Sequence, residues 1–240
     1  MKYKPRPVGS IRGIVRGQLD YYLKPRIRRN EGGPFNGQEF RQKIFLEMMG
    51  GMGFSAIAET GTFRGLTTQY MHRNSGLPVY TAELNPRFFA YARIRLREDP
   101  GIRLYNMDSR EFLRQLVNDK LLETADVFFY LDAHWGEDLP LLEELEIIFE
   151  KLPGAVVMVD DFKVPGDDHY AYDDYGIGKT LSLEYLAPAI DKYALSAFFP
   201  AQDAAGETGA RRGCVVIARS PEKTALLKEL TTLKIHDNRS

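Results

Sequence analysis

The stretch Phe54–Gly65, FSAIAETGTFRG, limits what this chain can fold into more than any other. Ile57 and Ala58 read as the end of a buried strand, and Glu59 as an acidic strand end. Gly61 and Gly65 then read as a turn into a helix. A glycine turn at the carboxyl end of a central strand lets a ligand approach the backbone closely. A dinucleotide fingerprint would be spelled G-x-G-x-x-G, with a small middle residue beside the pyrophosphate. Here Phe63 and Arg64 fill the turn, and Glu59 repels an anion while attracting an ammonium group. Taken alone, the segment also fits a plain strand–helix turn whose glycines serve geometry only.

Downstream, strands and helices alternate. Strands are expected at Val79–Glu83, Ile102–Tyr105, Asp126–Leu131 and Ala155–Val159. Between and after them, helices are expected at Pro86–Arg97, Ser109–Val117 (capped by Ser109), Leu139–Lys151 and Thr180–Ile190. This order implies a parallel sheet wound on both faces, an α/β class. Ala194–Phe199 and Gly213–Arg219 are joined without a helix and imply a hairpin at the sheet edge, before a helix at Glu222–Leu230. With the Phe54 strand, seven strands are read in all.

At 240 residues and 44% hydrophobic, the chain suits one such domain with a sizeable core. Its net charge of -1 offers no reason to expect nucleic acid as a partner. No apolar run is long enough to cross a bilayer, and the basic N-terminus lacks the apolar centre of a secretory signal. The single cysteine, Cys214, lies in an apolar run, is expected buried, and fits a reducing, cytoplasmic setting.

The first thirty residues stand apart, with nine basic side chains against Asp20 alone. Ile11, Ile14, Val15, Leu19 and Tyr22 share one helical face. The preferred reading is a helix packed on its own domain or on a second copy in a homo-oligomer. The other is a lid, or a foot in peripheral contact with an anionic membrane surface. Gly9, Gly13 and Gly17 recur every four residues and weaken a helix. The organisation expected is an arm and linker over 1–37, the domain over 38–231, and a tail over 232–240.

Glu83 ends the second strand, where a carboxylate accepts hydrogen bonds from ribose hydroxyls. A nicotinamide cofactor would use it equally well. Asp108 and Ser109 follow the third strand. Together with E-T-G-T-F-R-G, this spacing resembles class I S-adenosylmethionine-dependent methyltransferases, over roughly Glu39–Arg219. The resemblance implies a Rossmann-like, doubly wound, seven-stranded sheet, mostly parallel with an antiparallel last strand. It also implies that Glu59, Gly61, Thr62, Gly65, Glu83, Asp108, Ser109 and Asp132 hold S-adenosyl-L-methionine.

The fourth strand ends in FFYLDAHW and the fifth in VMVDDF, so Asp132, His134, Asp160 and Asp161 reach neighbouring strand ends. Carboxylates converging there repel unless protonated or neutralised. A hard divalent cation, Mg²⁺, Ca²⁺ or Mn²⁺, is the simplest neutraliser, although strand-end caps and loop anchors are the plainer reading. The arrangement resembles the metal-dependent O-methyltransferases, nearest the sugar-modifying macrocin type and more distantly the caffeoyl-CoA and catechol enzymes. By that resemblance Asp132, Asp160 and Asp161 are metal ligands, and Asp132 and His134 are catalytic. His134 replaces the acidic residue usual in the macrocin type, and a histidine can serve as the base. The implied enzyme methylates a hydroxyl of a small-molecule substrate, sugar-containing or another polyol. Two other functions stay open: the same fold serving another reaction, such as a hydroxylase-like one, and a non-catalytic nucleoside-binding or scaffold protein. Lys163–Gly178, with Tyr170, Tyr172 and Tyr175, reads as a mobile lid or a solvated loop.

Overall fold

Short apolar runs separated by amphipathic ones build the molecule, and each run becomes a strand. The computed structural model describes residues 9–29, 32–119, 126–134 and 138–236. The strands are β1 (Ala56–Thr60), β2 (Val79–Ala82), β3 (Ile102–Tyr105), β4 (Val127–Leu131), β5 (Val156–Val159), β6 (Ser196–Pro200), β7 (Val215–Ala218) and β8 (Leu233–Ile235). They form one eight-stranded sheet in the order β3-β2-β1-β4-β5-β7-β6-β8. β1 to β5 pair in parallel. β7 lies antiparallel to β5 and β6, and β8 antiparallel to β6.

The expected seven strands are therefore eight, and the eighth lies in the segment read as a tail. Its LKI offers one buried side chain, Leu233, too little periodicity to register as a strand. It is held by tertiary bonds: Glu47 accepts from the backbone N–H groups of Thr231 at 2.8 Å and Thr232 at 2.9 Å. Because β8 covers β6, the β6–β7 hairpin is not the sheet edge.

The helices are α1 (Ile11–Leu23), α2 (Pro25–Arg29), α3 (Glu39–Gly51), α4 (Leu66–Ser75), α5 (Pro86–Arg95), α6 (Ser109–Leu116), α7 (Leu141–Lys151), α8 (Leu183–Tyr193) and α9 (Pro221–Glu229). Strand residues alternate between the two faces of the sheet. Thus Phe129 and Val157 join Phe112, Leu145, Ile148 and Leu186 from α6, α7 and α8. Phe128 and Met158 join Ile44, Phe45, Met71 and Leu227 from α3, α4 and α9. Cys214 is buried in that second layer, as its apolar run led one to expect. Asp108 rather than Ser109 caps α6, accepting from the Arg110 N–H at 2.9 Å. α8 starts after Ser182, whose hydroxyl oxygen accepts from the Tyr185 N–H, so Thr180 lies outside it.

The N-terminal helix does pack on its own domain, along α5, but not by its apolar stripe. Gly13, Gly17 and Asp20 are the buried residues of α1. A Cβ on Gly17 would come 2.1 Å from the Arg87 carbonyl oxygen, and one on Gly13 would come 2.8 Å from the Pro86 ring. Glycine lets the two backbones approach to a distance that a stripe of larger side chains would prevent. Asp20 then binds Lys24 at 2.7 Å and Arg87. In the linker, Pro34–Gly37 forms a 3-10 turn with Phe35 buried against Phe45 and Tyr130.

Candidate active site

The strand order reverses between β1 and β4. Loops leaving those two carboxyl ends diverge to opposite faces, and doubly wound sheets open their ligand crevice there. The Gly61–Gly65 turn follows β1, and Asp132–His134 follows β4, so the two expected clusters meet. Gly61 (φ 90°) is required by this meeting: a Cβ would lie 2.3 Å from the Asp132 carbonyl oxygen. Gly65 (φ 75°) turns the chain into α4 in the left-handed conformation.

On the β1–β2 side the carboxylates are met by hydroxyls and backbone. Glu83 accepts from the Phe63 N–H and the Asn85 N–H, each at 2.7 Å, one per oxygen. Burial pushes its carboxyl up to about 7, against the pull of those bonds. Each oxygen keeps a lone pair for a ligand hydroxyl. Glu59 does not stand open at the turn entrance as expected. It is 1% exposed, and one oxygen accepts from the Thr68 hydroxyl at 2.5 Å and the Thr81 hydroxyl at 2.6 Å. Burial raises it to about 7 as well. Thr62 is buried beside it, its hydroxyl 2.5 Å from that of Thr81. Asp108 is engaged by the Arg110 side chain at 2.9 Å, which holds its carboxyl below the ordinary range, and Ser109 is buried in the first turn of α6.

On the β4–β5 side the neutralisers are arginines. Asp160 binds the buried guanidinium of Arg41 and accepts from the Tyr130 hydroxyl at 2.6 Å. Burial alone would raise Asp160, but the Arg41 charge and these bonds outweigh it and lower it. Asp161 sits in the left-handed region (φ 55°) and binds Arg212, which also binds Asp173. Burial and the Asp160 charge still push Asp161 up to about 7. Asp132 is half-buried and feels Asp160, Asp161 and Glu59; burial and these charges raise it well above its ordinary value. The register of β4 and β5 sets Asp132 and the Asp160–Asp161 pair at adjacent strand ends.

The expected metal triad does not follow from that adjacency. Arg41 and Arg212 already supply the positive charge that a cation would bring; each takes one oxygen, of Asp160 and Asp161 respectively, and Tyr130 takes the other Asp160 oxygen. Among the described residues no cluster of His, Cys, Asp or Glu has the form of a metal site. With those oxygens taken, the described residues present no assembled donor set for Mg²⁺, Ca²⁺ or Mn²⁺.

The His134 side chain is 1% exposed, and its Nε2 lies 3.9 Å from the buried Glu144 carboxylate on α7. Neither ring nitrogen has a hydrogen-bond partner among the described residues. Burial pushes the imidazole down to about 4, so it is neutral at physiological pH. Burial pushes Glu144 up to about 7, and neither of its carboxylate oxygens has a hydrogen-bond partner among the described residues. Trp135, expected beside His134, lies outside the described residues. The tyrosine-rich loop is pinned rather than free. Tyr170 is buried and donates to the Gln202 carbonyl at 3.0 Å, while the Tyr175 hydroxyl lies 2.5 Å from the His134 carbonyl. A cavity of about 650 Å³ lies elsewhere, lined by Tyr21, Arg28, Gln69 and Arg95 among others and bordered by none of the candidate residues.

Arg41, Tyr130, Asp173, Arg212 and Glu144 escaped the sequence reading. Arg41 left a signal: with Ile44, Phe45 and Met48 it falls on the buried face of α3, an arginine at an apolar position. A charge at such a position needs a buried partner.

No known family profile matches the chain, and no curated protein does. Solved structures match its fold. TomG, an O-methyltransferase of Streptomyces achromogenes solved with S-adenosylmethionine, is 18% identical over 75% of this chain and 80% of its own, TM-score 0.52. An O-methyltransferase from Bacillus cereus solved with S-adenosylhomocysteine is 21% identical over 74% and 80%, TM-score 0.51. CalS10, an amino pentose methyltransferase of Micromonospora echinaspora solved with S-adenosylmethionine, is 18% identical over 83% and 98%, TM-score 0.53. The fold is thus the Rossmann-like α/β fold that these methyltransferases share.

Proposed function

We propose that this chain is an S-adenosylmethionine-dependent O-methyltransferase acting on a hydroxyl of a small molecule, a sugar-containing substrate or another polyol. One observation carries the reading: the E-T-G-T-F-R-G turn lies at the strand-order reversal, tied through the Phe63 N–H to Glu83 at the next strand end. The donor set suits the cofactor, since Glu83 retains acceptor capacity for ribose hydroxyls. Raised, weakly neutralised carboxyls at the rim favour a ligand that brings positive charge. The shared fold of TomG and CalS10 supports methyl transfer and, for the acceptor, the sugar class.

When bound, S-adenosylmethionine supplies an electrophilic methyl on a sulfonium. Asp132, half-buried at the end of β4 with its proton affinity raised, takes the proton of the acceptor hydroxyl. Glu83 and the Gly61–Gly65 turn would hold that cofactor, whose sulfonium would act as the leaving group for the methyl. His134, buried, neutral and 3.9 Å from Glu144, does not take the role of first base. Arg41 and Arg212 hold Asp160 and Asp161 and keep the rim rigid; rigid placement is a large part of such acceleration.

Calorimetry with S-adenosylhomocysteine and with NADH tests the cofactor: binding of the first alone is expected, and binding of NADH alone overturns the reading. Transfer of labelled methyl to a panel of polyols tests the reaction. Asp132→Asn is expected to lower turnover about a thousandfold with S-adenosylhomocysteine affinity unchanged, and His134→Asn less than tenfold.

A further inference from the structure

α1 has two faces of opposite character. Gly13, Gly17 and Asp20 are buried against the domain, whereas Ile11, Val15, Leu19 and Tyr22 are 77%, 47%, 48% and 58% exposed. At about 100° per residue these four side chains fall within one arc of roughly 80°, on the side away from the glycines. Leu23, also exposed, continues the stripe to the Lys24 turn. A globular helix ordinarily turns such a stripe to its core. Here the close glycine contact with α5 holds it outside.

The charge that the arm itself sets around the stripe has one sign. Arg12 and Arg16 are exposed along one edge, and Lys24, Arg26 and Arg28 are exposed at its C-terminal end. The arm's one acidic residue before Asn30, Asp20, is buried and paired with Lys24 and Arg87. Lys2, Lys4 and Arg6 precede the helix in sequence. Apolar side chains interleaved with cations match an anionic bilayer, where the first enter the headgroup boundary and the second meet phosphates. A second copy of the chain matches less well, because a two-fold contact through this face would set arginines against arginines.

We infer that α1 is a membrane foot that seats the protein on an anionic lipid surface. The first turns of α1 lie on Pro86 and Arg87, which open α5 just after Glu83. Docking therefore brings the carboxyl rim of the sheet close to the bilayer. The docking does not depend on the reaction proposed above.

Co-sedimentation of the full chain with phosphatidylcholine vesicles, with and without phosphatidylserine, tests this. Binding is expected only to the anionic vesicles, weakening steeply with salt. Arg12→Ala with Arg16→Ala is expected to weaken it roughly thirtyfold, and Val15→Ser with Leu19→Ser about tenfold or more. These side chains are exposed, so melting temperatures are expected to stay unchanged. Ile11→Ser with Tyr22→Ser repeats the test at the stripe's ends, should the central pair fold poorly. Wild type left in the supernatant with anionic vesicles overturns the proposal, as does undiminished binding by both serine pairs. A dimer in the ultracentrifuge that the serine pairs split overturns it too, and assigns the stripe to a subunit contact.

Discussion

The two halves of the acidic rim meet one electrostatic problem in opposite ways. On the β1–β2 side, Glu59 and Glu83 are buried against hydroxyls and backbone N–H groups, and their proton affinity rises to about 7. On the β4–β5 side, Asp160 is buried against Arg41, and its affinity falls. Desolvation acts on all three; only the partner differs. Asp160, met by a guanidinium, is a finished structural unit, whereas burial and the Asp160 charge keep Asp161 raised even beside Arg212. A carboxylate met by neutral donors still has charge to offer a cationic ligand.

The sharpest way to break the contrast is Arg41→Met. It strands a buried carboxylate and is expected to cost about 3–5 kcal/mol by urea unfolding. Adding Asp160→Asn is expected to recover part of that loss, whereas Glu59→Gln alone, measured below about pH 4.5 where Glu59 is protonated, changes stability by about 1 kcal/mol or less. If Arg41→Met is silent, the pair is not what neutralises Asp160.

Ligand affinity separates the halves next. Glu83→Ala is expected to weaken S-adenosylhomocysteine binding about a hundredfold by calorimetry, and Asp161→Asn by less than about threefold. Equal losses from both would erase the distinction.

Acid titration of stability should give Asp160 the sign opposite to Glu59 and Glu83. Glu59 and Glu83 hold protons more tightly when folded, so their contribution is full below the ordinary value of 4.5 and is lost as pH climbs through about 7. Asp160 is held below its ordinary 3.8, so its contribution is present above that value and is lost as pH falls through its folded value. His134, lowered to about 4, opposes the glutamates between that value and its ordinary 6.5. Glu59→Gln is expected to flatten the decline between about pH 4.5 and 7 by roughly 1–3 kcal/mol; an unchanged profile would argue that Glu59 is ionised throughout.

The smallest expected effect is that of metal. Mg²⁺ or chelator is expected to move the melting temperature by less than about 1 °C and to leave methyl transfer unchanged. A metal-stimulated rate would return the β4–β5 aspartates to the role the sequence suggested for them.

Much of the fold was legible because its signals are local. FFYL and VVMV read as buried strands, Gly61 and Gly65 as a turn, and Glu83 as a strand end. The α1 stripe was legible as a stripe, yet its direction was not. Periodicity groups side chains on a face without saying which face meets a neighbour, and the Gly13–Gly17 contact with α5 decided that. β8 was invisible because three residues carry no period; its ladder partner is β6, and the turn before it is held by Glu47, far back in the chain.

By itself the sequence determined the alternation of strands and helices, and with it the rim where Glu59, Glu83, Asp132 and Asp160 gather. Only the tertiary structure decided which of these carboxylates meets a guanidinium and which a hydroxyl. Arg41 reaches Asp160 across 119 positions, and Arg212 reaches Asp161 across 51. A buried charge is stabilised by what lies within a few ångströms in space, and one-dimensional spacing does not record that distance.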